Sequence, residues 1–255
     1  MKKYGRILVV AVLCIGVLLM LSVYQHQKQE NADVYTRLAD TYEKTEEQQT
    51  QDTGSAQQAE QAIEIPIDFA ALQQENPDIY AWIRIPGTSV DYPILQSDGA
   101  DQSYYLNHTV DYEEGFPGSI YTENGNKKDF SDANTVIYGH KMRNDTMFGG
   151  LYRYQDISYL QEHNEILIYT PDHIRTYRVF AAVTYDNRHI LYSFDFTDTE
   201  QYQAYLDSLK AVRNMATCWD ESVTVTTEDR IITLSTCNGN DAQRFLVEAV
   251  LVDEK

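Results

Sequence analysis

From residue 63 onward the chain alternates short apolar stretches with punctuation by Pro, Gly, Asn or Asp. Runs rich in Val, Ile, Thr, Tyr and Phe predict strands at 79–85, 90–95, 118–121, 135–139, 165–169, 175–183, 222–226, 230–236 and 244–252. The links are short, and Tyr169-Thr170-Pro171-Asp172-His173 reads as a hairpin turn. Three segments carry a helical rather than a two-residue period. A short helix starts near Asp68, another covers 147–154, and Tyr202, Tyr205, Leu206, Leu209 and Val212 define a long one over 198–215. Many short strands with few helices point to a mainly β fold, a closed barrel of about eight strands with flanking helices, and not to a βαβ sheet.

Upstream the pattern changes twice. Lys2, Lys3 and Arg6 precede an uncharged apolar run from Ile7 to Val23, seventeen residues long and at the lower limit for spanning a bilayer. No small-x-small cleavage site follows, so the run reads as an uncleaved signal anchor. The positive charges before it place residues 1–6 in the cytoplasm and everything after Val23 outside the cell membrane. Residues 24–62 are rich in Gln, Glu, Thr and Asp, with a weak helical stretch at VYTRLADTYEK, and read as an extracellular stalk. The folded domain is expected over 63–255.

Composition narrows the function. With 43% hydrophobic residues the chain can build a real core. A net charge of −19 would repel a phosphate polyanion, which argues against nucleic acid as a partner. Beyond Cys14 in the apolar run, the cysteines are Cys218 and Cys237, too few for a disulfide scaffold. The sequence leaves a bond between them open. No His or Cys pair has the spacing of a zinc site, so neither a metal nor another cofactor is expected.

The stretch TLSTCNGNDAQRFLVEAVLV, residues 233–252, concentrates the candidate chemistry. If 238–243 is a hairpin loop, Cys237 and Arg244 face each other across antiparallel strands with Cβ atoms roughly 5 Å apart. Thr233, Ser235 and Cys237 share the more polar face of their strand, an unusual place for a purely structural cysteine. A free thiol has a pKa of about 8.5 and needs a partner to act as a nucleophile near neutrality. Among six histidines, His140 is delivered to a strand terminus by NTVIYGH and is the preferred partner over His189. Arg244 stays protonated, so it can hold an oxyanion but cannot act as a base. The plainer alternative for Arg244 is a salt bridge to Asp241 or Glu248. The histidine precedes the cysteine, the reverse of the papain-like order.

TLSTC followed by an arginine opening the last strand, with YGH upstream, resembles the sortases, and among them class B. NPDIYAWIRIPGTSVDYPILQ, SYYLNH, GSIYTENGN and NTVIYGHKMRNDTMFGGLYRY support the resemblance, which covers about residues 66–252. It implies a sortase-type eight-stranded β-barrel with N-terminal helices and a long helix before the last two strands. It implies Cys237 as nucleophile, His140 as acid/base partner and Arg244 as oxyanion holder. Leu106, Tyr138, Ile190 and Ser235 become candidates for the substrate groove. The implied reaction is cysteine transpeptidation on a membrane-anchored enzyme. An exported protein's C-terminal sorting signal is cut after Thr through a thioester and joined to an amine of a peptidoglycan precursor. A pilus-type polymerase joining protein subunits and a non-catalytic anchored binding module are the alternatives.

Overall fold

The computed structural model describes residues 15–22, 25–26, 33–43, 63–213, 217–237 and 239–255. Helix α1 (Phe69–Glu75) is started by Asp68, whose Oδ1 accepts from Ala71 N at 3.0 Å. It stops at Asn76, because the following Pro77 disfavours helical backbone in the residue before it. Asn76 is fully buried and turns its side chain to structural use. Its Nδ2 donates to Tyr105 Oη and to Val110 O, and its Oδ1 accepts from Asp78 N, so the end of α1 anchors the 104–118 loop.

Eight strands then close on themselves. β1 (Ile79–Arg84), β2 (Asp91–Leu95), β3 (Ile120–Thr122), β4 (Asn134–Tyr138), β5 (Glu165–Tyr169) and β6 (Ile174–Asp186) come first in the chain. A two-residue strand, β7 (Cys218–Trp219), precedes β8 (Ile231–Cys237) and β9 (Gln243–Glu254). Around the barrel the order is β1-β2-β3-β4-β8-β9-β6-β5, and β5 pairs back with β1. Pairs β2–β3 and β4–β8 are parallel and the others antiparallel. Closure leaves no long unpaired edge. The short β7 attaches outside the ring, on β6.

Two apolar layers hold this sheet. Trp82, Ile94, Ile120, Ile137, Ile168, Tyr177, Ile232, Leu234 and Phe245 are among the side chains of the larger buried cluster, which includes the barrel core. The second cluster lies beneath helix α4 (Thr199–Ala211), with Tyr202, Tyr205, Leu206 and Leu209 against Val136, Phe180, Val183, Ile231 and Leu246. That spacing is the i, i+3, i+4, i+7 stripe of an amphipathic helix. The Asp198 carboxylate caps it by accepting from Glu200 N and Gln201 N.

Local structure departs from expectation in four places. The strand expected at 222–226 is a turn region, because Asp220 bonds Ser222 N and Oγ while Asp229 bonds Thr226 N and Oγ1. Those side-chain bonds offer the backbone an alternative that overrides the β propensity of Val223 and Val225. The helix expected at 147–154 is a 3-10 turn, Gly149–Gln155, followed by α2 (Ile157–Glu162). A Cβ on Gly149 would stand 2.2 Å from Met142 O, so this turn is built around a close backbone approach. Helix α4 ends at Ala211, once its buried stripe is exhausted, and is followed by an extended Val212; residues 214 and 215 of the expected helix lie outside the described residues. Residues 33–42, where the sequence shows a weak helical stretch within the expected stalk, are helical, but their Tyr35 and Leu38 are buried. Two large side chains at i and i+3 suffice to dock the helix, too few for the sequence to announce that packing.

A last short helix, α3 (Ile190–Ser193), sits between β6 and α4 and supplies Ile190 to the second core. Most of the expected membrane anchor, residues 7–14 and 23, lies outside the described residues. Its described portion, 15–22, is helical and carries exposed Ile15, Val17, Leu18, Leu19, Met20 and Leu21. Among the described residues no helix is long and apolar enough to cross a membrane.

Candidate active site

The parallel pairing of β4 with β8 puts Tyr138 opposite Ser235, and Gly139 N donates to Ser235 O at 3.2 Å. His140 and Cys237 each lie two residues beyond that matched pair, so neighbouring strands deliver both to one end of the barrel. On the other side of β8, the antiparallel register sets Cys237 against Arg244. Gly139 makes the exit from β4 feasible. A Cβ there would come within 2.4 Å of Ile120 Cδ1 and 2.8 Å of the Phe148 ring.

These strand ends open on a cleft of about 230 Å³. Cys237 and Arg244 line it together with Leu106, Tyr138, Ile190 and Ser235. Cys237 is exposed and is a free thiol; Cys218 is buried in β7 and is also free, so the two form no disulfide. Burial pushes the Cys218 thiol up, away from reactivity.

Arg244 is half-buried and donates from Nη1 to the carbonyls of Asp241 at 3.3 Å and Gln243 at 2.8 Å. The salt bridge considered from sequence does not form. Glu248 lies opposite Thr233, wholly buried on the helix side of the barrel, and the Asp241 contact is to its backbone. Arg188, also at the cleft, is taken up by Asp186 at 2.6 Å. Among the described residues Arg244 has no ion-pair partner, so its positive charge is presented beside the thiol.

His140 is half-buried against the 104–118 loop. Its Nε2 lies 2.7 Å from Leu106 O and its ring 4.8 Å from that of Phe116. A carbonyl only accepts, so Nε2 carries a proton and Nδ1 is left as the basic nitrogen. Burial lowers the imidazole pKa below its ordinary value, with the Leu106 carbonyl pulling weakly the other way. His140 is therefore neutral at neutral pH.

Tyr121 and Glu123 in the wall, and Tyr152 beside Cys237, escaped the sequence reading, while His189, ranked there behind His140, lines the cleft. β3 and the residue after it contribute Tyr121 and Glu123, and the segment after β6 contributes His189. His189 Nε2 lies 2.5 Å from Glu123 Oε2, and its ring stacks on Tyr192 with centroids 4.0 Å apart. Burial, reinforced by the Glu123 carboxylate, pushes the Tyr121 and Tyr138 hydroxyls upward, so both remain neutral donors. Tyr152 stacks on Phe245 at 4.5 Å and reaches the Cys237 carbonyl at 3.5 Å. Burial first, and the neighbouring Cys237 second, push its hydroxyl up to about 12. The one readable signal for these positions was alternation in GSIYTENGN, which puts Tyr121 and Glu123 on one side. Nothing local to Tyr152 or Glu123 announces a partner so distant in sequence.

A free cysteine, a neutral histidine and an arginine at one barrel mouth suit acyl transfer through a covalent intermediate. The profile of the Sortase domain family matches residues 83–252. The chain belongs to the sortase family. It is 33% identical to sortase B of Listeria monocytogenes over 194 residues, covering 74% of this chain and 76% of that protein. It is 32% identical to sortase B of Staphylococcus aureus over 190 residues, 72% and 74% of the two chains. Solved sortase B structures share the fold. The Staphylococcus aureus sortase B–substrate complex matches with a TM-score of 0.71 and 28% identity, covering 90% of this chain and 99% of that one. Sortase B from Bacillus anthracis in complex with AAEK1 matches at 0.70 and 29%, covering 88% and 97%. Both the barrel and its flanking helices are thus those of a class B sortase.

Proposed function

We propose that this sortase is a membrane-anchored cysteine transpeptidase that cuts a C-terminal sorting motif after threonine and passes the acyl group to an amine of a cell-wall precursor. The observation that carries this reading is the strand register. It sets Cys237 against Arg244 and brings His140 to the same barrel end, beside a cleft large enough for a few side chains. Support for a peptide occupant comes from the similarity to a sortase B captured with substrate.

The steps follow from the donors and acceptors present. The Cys237 thiol passes its proton to Nδ1 of His140, and the thiolate attacks the threonine carbonyl carbon. The carbonyl oxygen becomes an oxyanion beside the Arg244 guanidinium. The C–N bond breaks as His140 returns the proton to the leaving amine, and a thioester remains on Cys237. An incoming amine attacks that thioester, giving up a proton to His140. The new amide leaves, and Cys237 regains its thiol. Leu106, Tyr138, Ile190 and Ser235 hold the motif in the cleft. Residues 1–6 stay in the cytoplasm, 7–23 anchor the chain, and the domain works outside the cell. The exposed apolar side chains at 15–21 suit contact with lipid.

Intact-mass spectrometry of the full chain in detergent, incubated with NPxTx-, LPxTG- and SPxTG-like peptides, tests this reading. The expected result is a motif-dependent acyl adduct on Cys237 that is absent in Cys237→Ala. An alkylatable Cys237 that takes no adduct from any peptide would reject it.

A further inference from the structure

Outside the cleft, one polar group is buried where the reaction has no need of it. Glu248 on β9 is fully buried beneath α4 and has no ion-pair partner among the described residues. Tyr205 Oη, from the middle of α4, donates to Glu248 Oε1 at 2.8 Å. Thr233 Oγ1 on β8 lies 2.9 Å from Glu248 Oε2 and 3.0 Å from Asn134 Oδ1 at the start of β4. Four side chains thus join the helix to three adjacent strands. Those strands lead to the three residues of the proposed chemistry: Thr233 precedes Cys237 on β8, Glu248 follows Arg244 on β9, and Asn134 opens β4, two residues beyond whose end lies His140.

Proton counting together with the cost of burying a charge favours one state of this network. Thr233 has one hydroxyl proton and three oxygens within reach, Glu248 Oε2, Asn134 Oδ1 and, at 3.2 Å, Tyr205 Oη. If Glu248 is ionised, Tyr205 serves its Oε1, and Thr233 satisfies either Oε2 or Asn134 Oδ1 and abandons the other. If Glu248 is a neutral acid, its Oε2–H donates to Thr233 Oγ1 and Thr233 donates to Asn134 Oδ1. The chain Tyr205, Glu248, Thr233, Asn134 then runs in one direction with each hydroxyl donating once. In this orientation Asn134 Nδ2 is buried without a partner; turning the amide over would pair it with Thr233 and let Thr233 serve an ionised Glu248, but at the cost of a full charge buried without a cation. The titratable groups facing Glu248 are Tyr202 and Tyr205 on α4 and Tyr185 on β6, and all three hydroxyls are pushed upward. Burial likewise raises the Glu248 carboxyl to about 8.

We propose that Glu248, as a neutral carboxylic acid, is a positioning residue that ties the strands bearing His140, Cys237 and Arg244 to helix α4 and so fixes their relative register at the barrel mouth. Its role in turnover rests on the transpeptidase reading above; the strand tie itself does not. Leucine in place of Glu248 deprives the Tyr205 and Thr233 hydroxyls of their carboxyl partner, so lost stability alone does not mark a positioning role, and exchange and turnover are read at the barrel mouth.

The full-length protein is compared with Glu248→Gln, Glu248→Leu and Thr233→Val by three readouts. Infrared difference spectra at pH 7 are expected to show a carboxylic-acid C=O band that Glu248→Gln lacks. Hydrogen exchange at the Gly139 amide, which bonds Ser235 O at the catalytic end, is expected to quicken in Glu248→Leu and Thr233→Val but not in Glu248→Gln. In peptide cleavage, the same two variants are expected to lose kcat by about tenfold with KM little changed, since small misplacement of reacting groups is costly in rate. The glutamine variant is expected to retain it. If Glu248→Leu does not fold, Thr233→Val alone decides. An ionised carboxylate at pH 7, or wild-type exchange at Gly139 in Thr233→Val, overturns the proposal. Infrared and exchange readouts need no peptide, so they judge it even if no sorting motif is ever cleaved.

Discussion

His140 is held by one carbonyl and covered by one aromatic ring, and both contacts determine which proton it can move. The Leu106 carbonyl fixes Nε2–H, while the Phe116 side borders solvent, since Phe116 is itself 46% exposed. Desolvation dominates, so the folded-state pKa lies below the unfolded value of about 6.5. Folded protein therefore binds fewer protons here than unfolded protein, and this residue's contribution to stability is present above that value and lost as pH falls through the folded pKa. Phe116→Ala admits water to the ring, and His140 is expected to titrate closer to 6.5 by NMR than in the parent; an unchanged titration would show that Phe116 is not the relevant cover. Arg244 poses a geometric problem. Its guanidinium keeps donors for an oxyanion while Nη1 is tied to the Asp241 and Gln243 carbonyls. Lysine keeps the charge and loses the fork, so Arg244→Lys is expected to slow acyl-adduct formation by roughly 100-fold, the order found for loss of one preorganised oxyanion donor. Rapid-quench mass spectrometry measures it, and wild-type acylation by the lysine variant would remove Arg244 from the chemical step.

Elements in this barrel are specified by two kinds of signal, one visible in sequence and one not. Helix α4 shows both: a stripe of four buried residues and a single capping carboxylate. Leu209→Ala leaves a cavity under the helix and is expected to cost about 2–5 kcal/mol, whereas Asp198→Ala removes one cap and is expected to cost about 1 kcal/mol. Urea midpoints at constant m-value separate the two; equal losses would mean that capping, not burial, holds α4. Strand β5 was legible because its two-residue alternation largely agrees with its burial, and β8, buried along Ile231–Thr236, because of its β-branched run. The turn at 220–230 was not, since Asp220 and Asp229 act through side-chain bonds that no periodicity reports. The Cys237–Arg244 pairing was readable from loop length alone. His140 was readable from its place at a strand end, but the Leu106 carbonyl that sets its tautomer is brought in by a loop 34 residues away. Contacts of that kind come from the closed barrel and are not encoded near the residue they serve.

Across the whole molecule, the pieces that shape the cleft are braced from outside it. Tyr35 in the helix at 33–42 donates to Gly118 O and bonds Ser119 Oγ at 3.0 Å, while Ser119 N reaches Tyr105 O at 2.8 Å, next to Leu106. The N-terminal helix thus supports the loop that holds His140. On the opposite side, α4 and the Glu248 network brace the strands themselves. Such bracing has a global signature, because a buried carboxyl with a folded pKa of about 8, against an unfolded value near 4.5, takes up a proton on folding at intermediate pH. Folded protein binds more protons than unfolded protein between those limits, so this group's contribution to stability is complete below about 4.5, falls as pH rises and is exhausted above about 8. The limiting slope is about 1.4 kcal/mol per pH unit for one proton. His140 acts in the reverse sense and at lower pH, so the wild-type curve alone mixes the two. Glu248→Gln removes only the first. Subtracting unfolding free energies of wild type from those of the glutamine variant cancels His140 and every other shared group. That difference is expected to climb toward high pH across the interval from 5 to 8, and to level off beyond it. Parallel curves for the two proteins would mean that Glu248 is ionised in the folded barrel and that the bracing runs through another group.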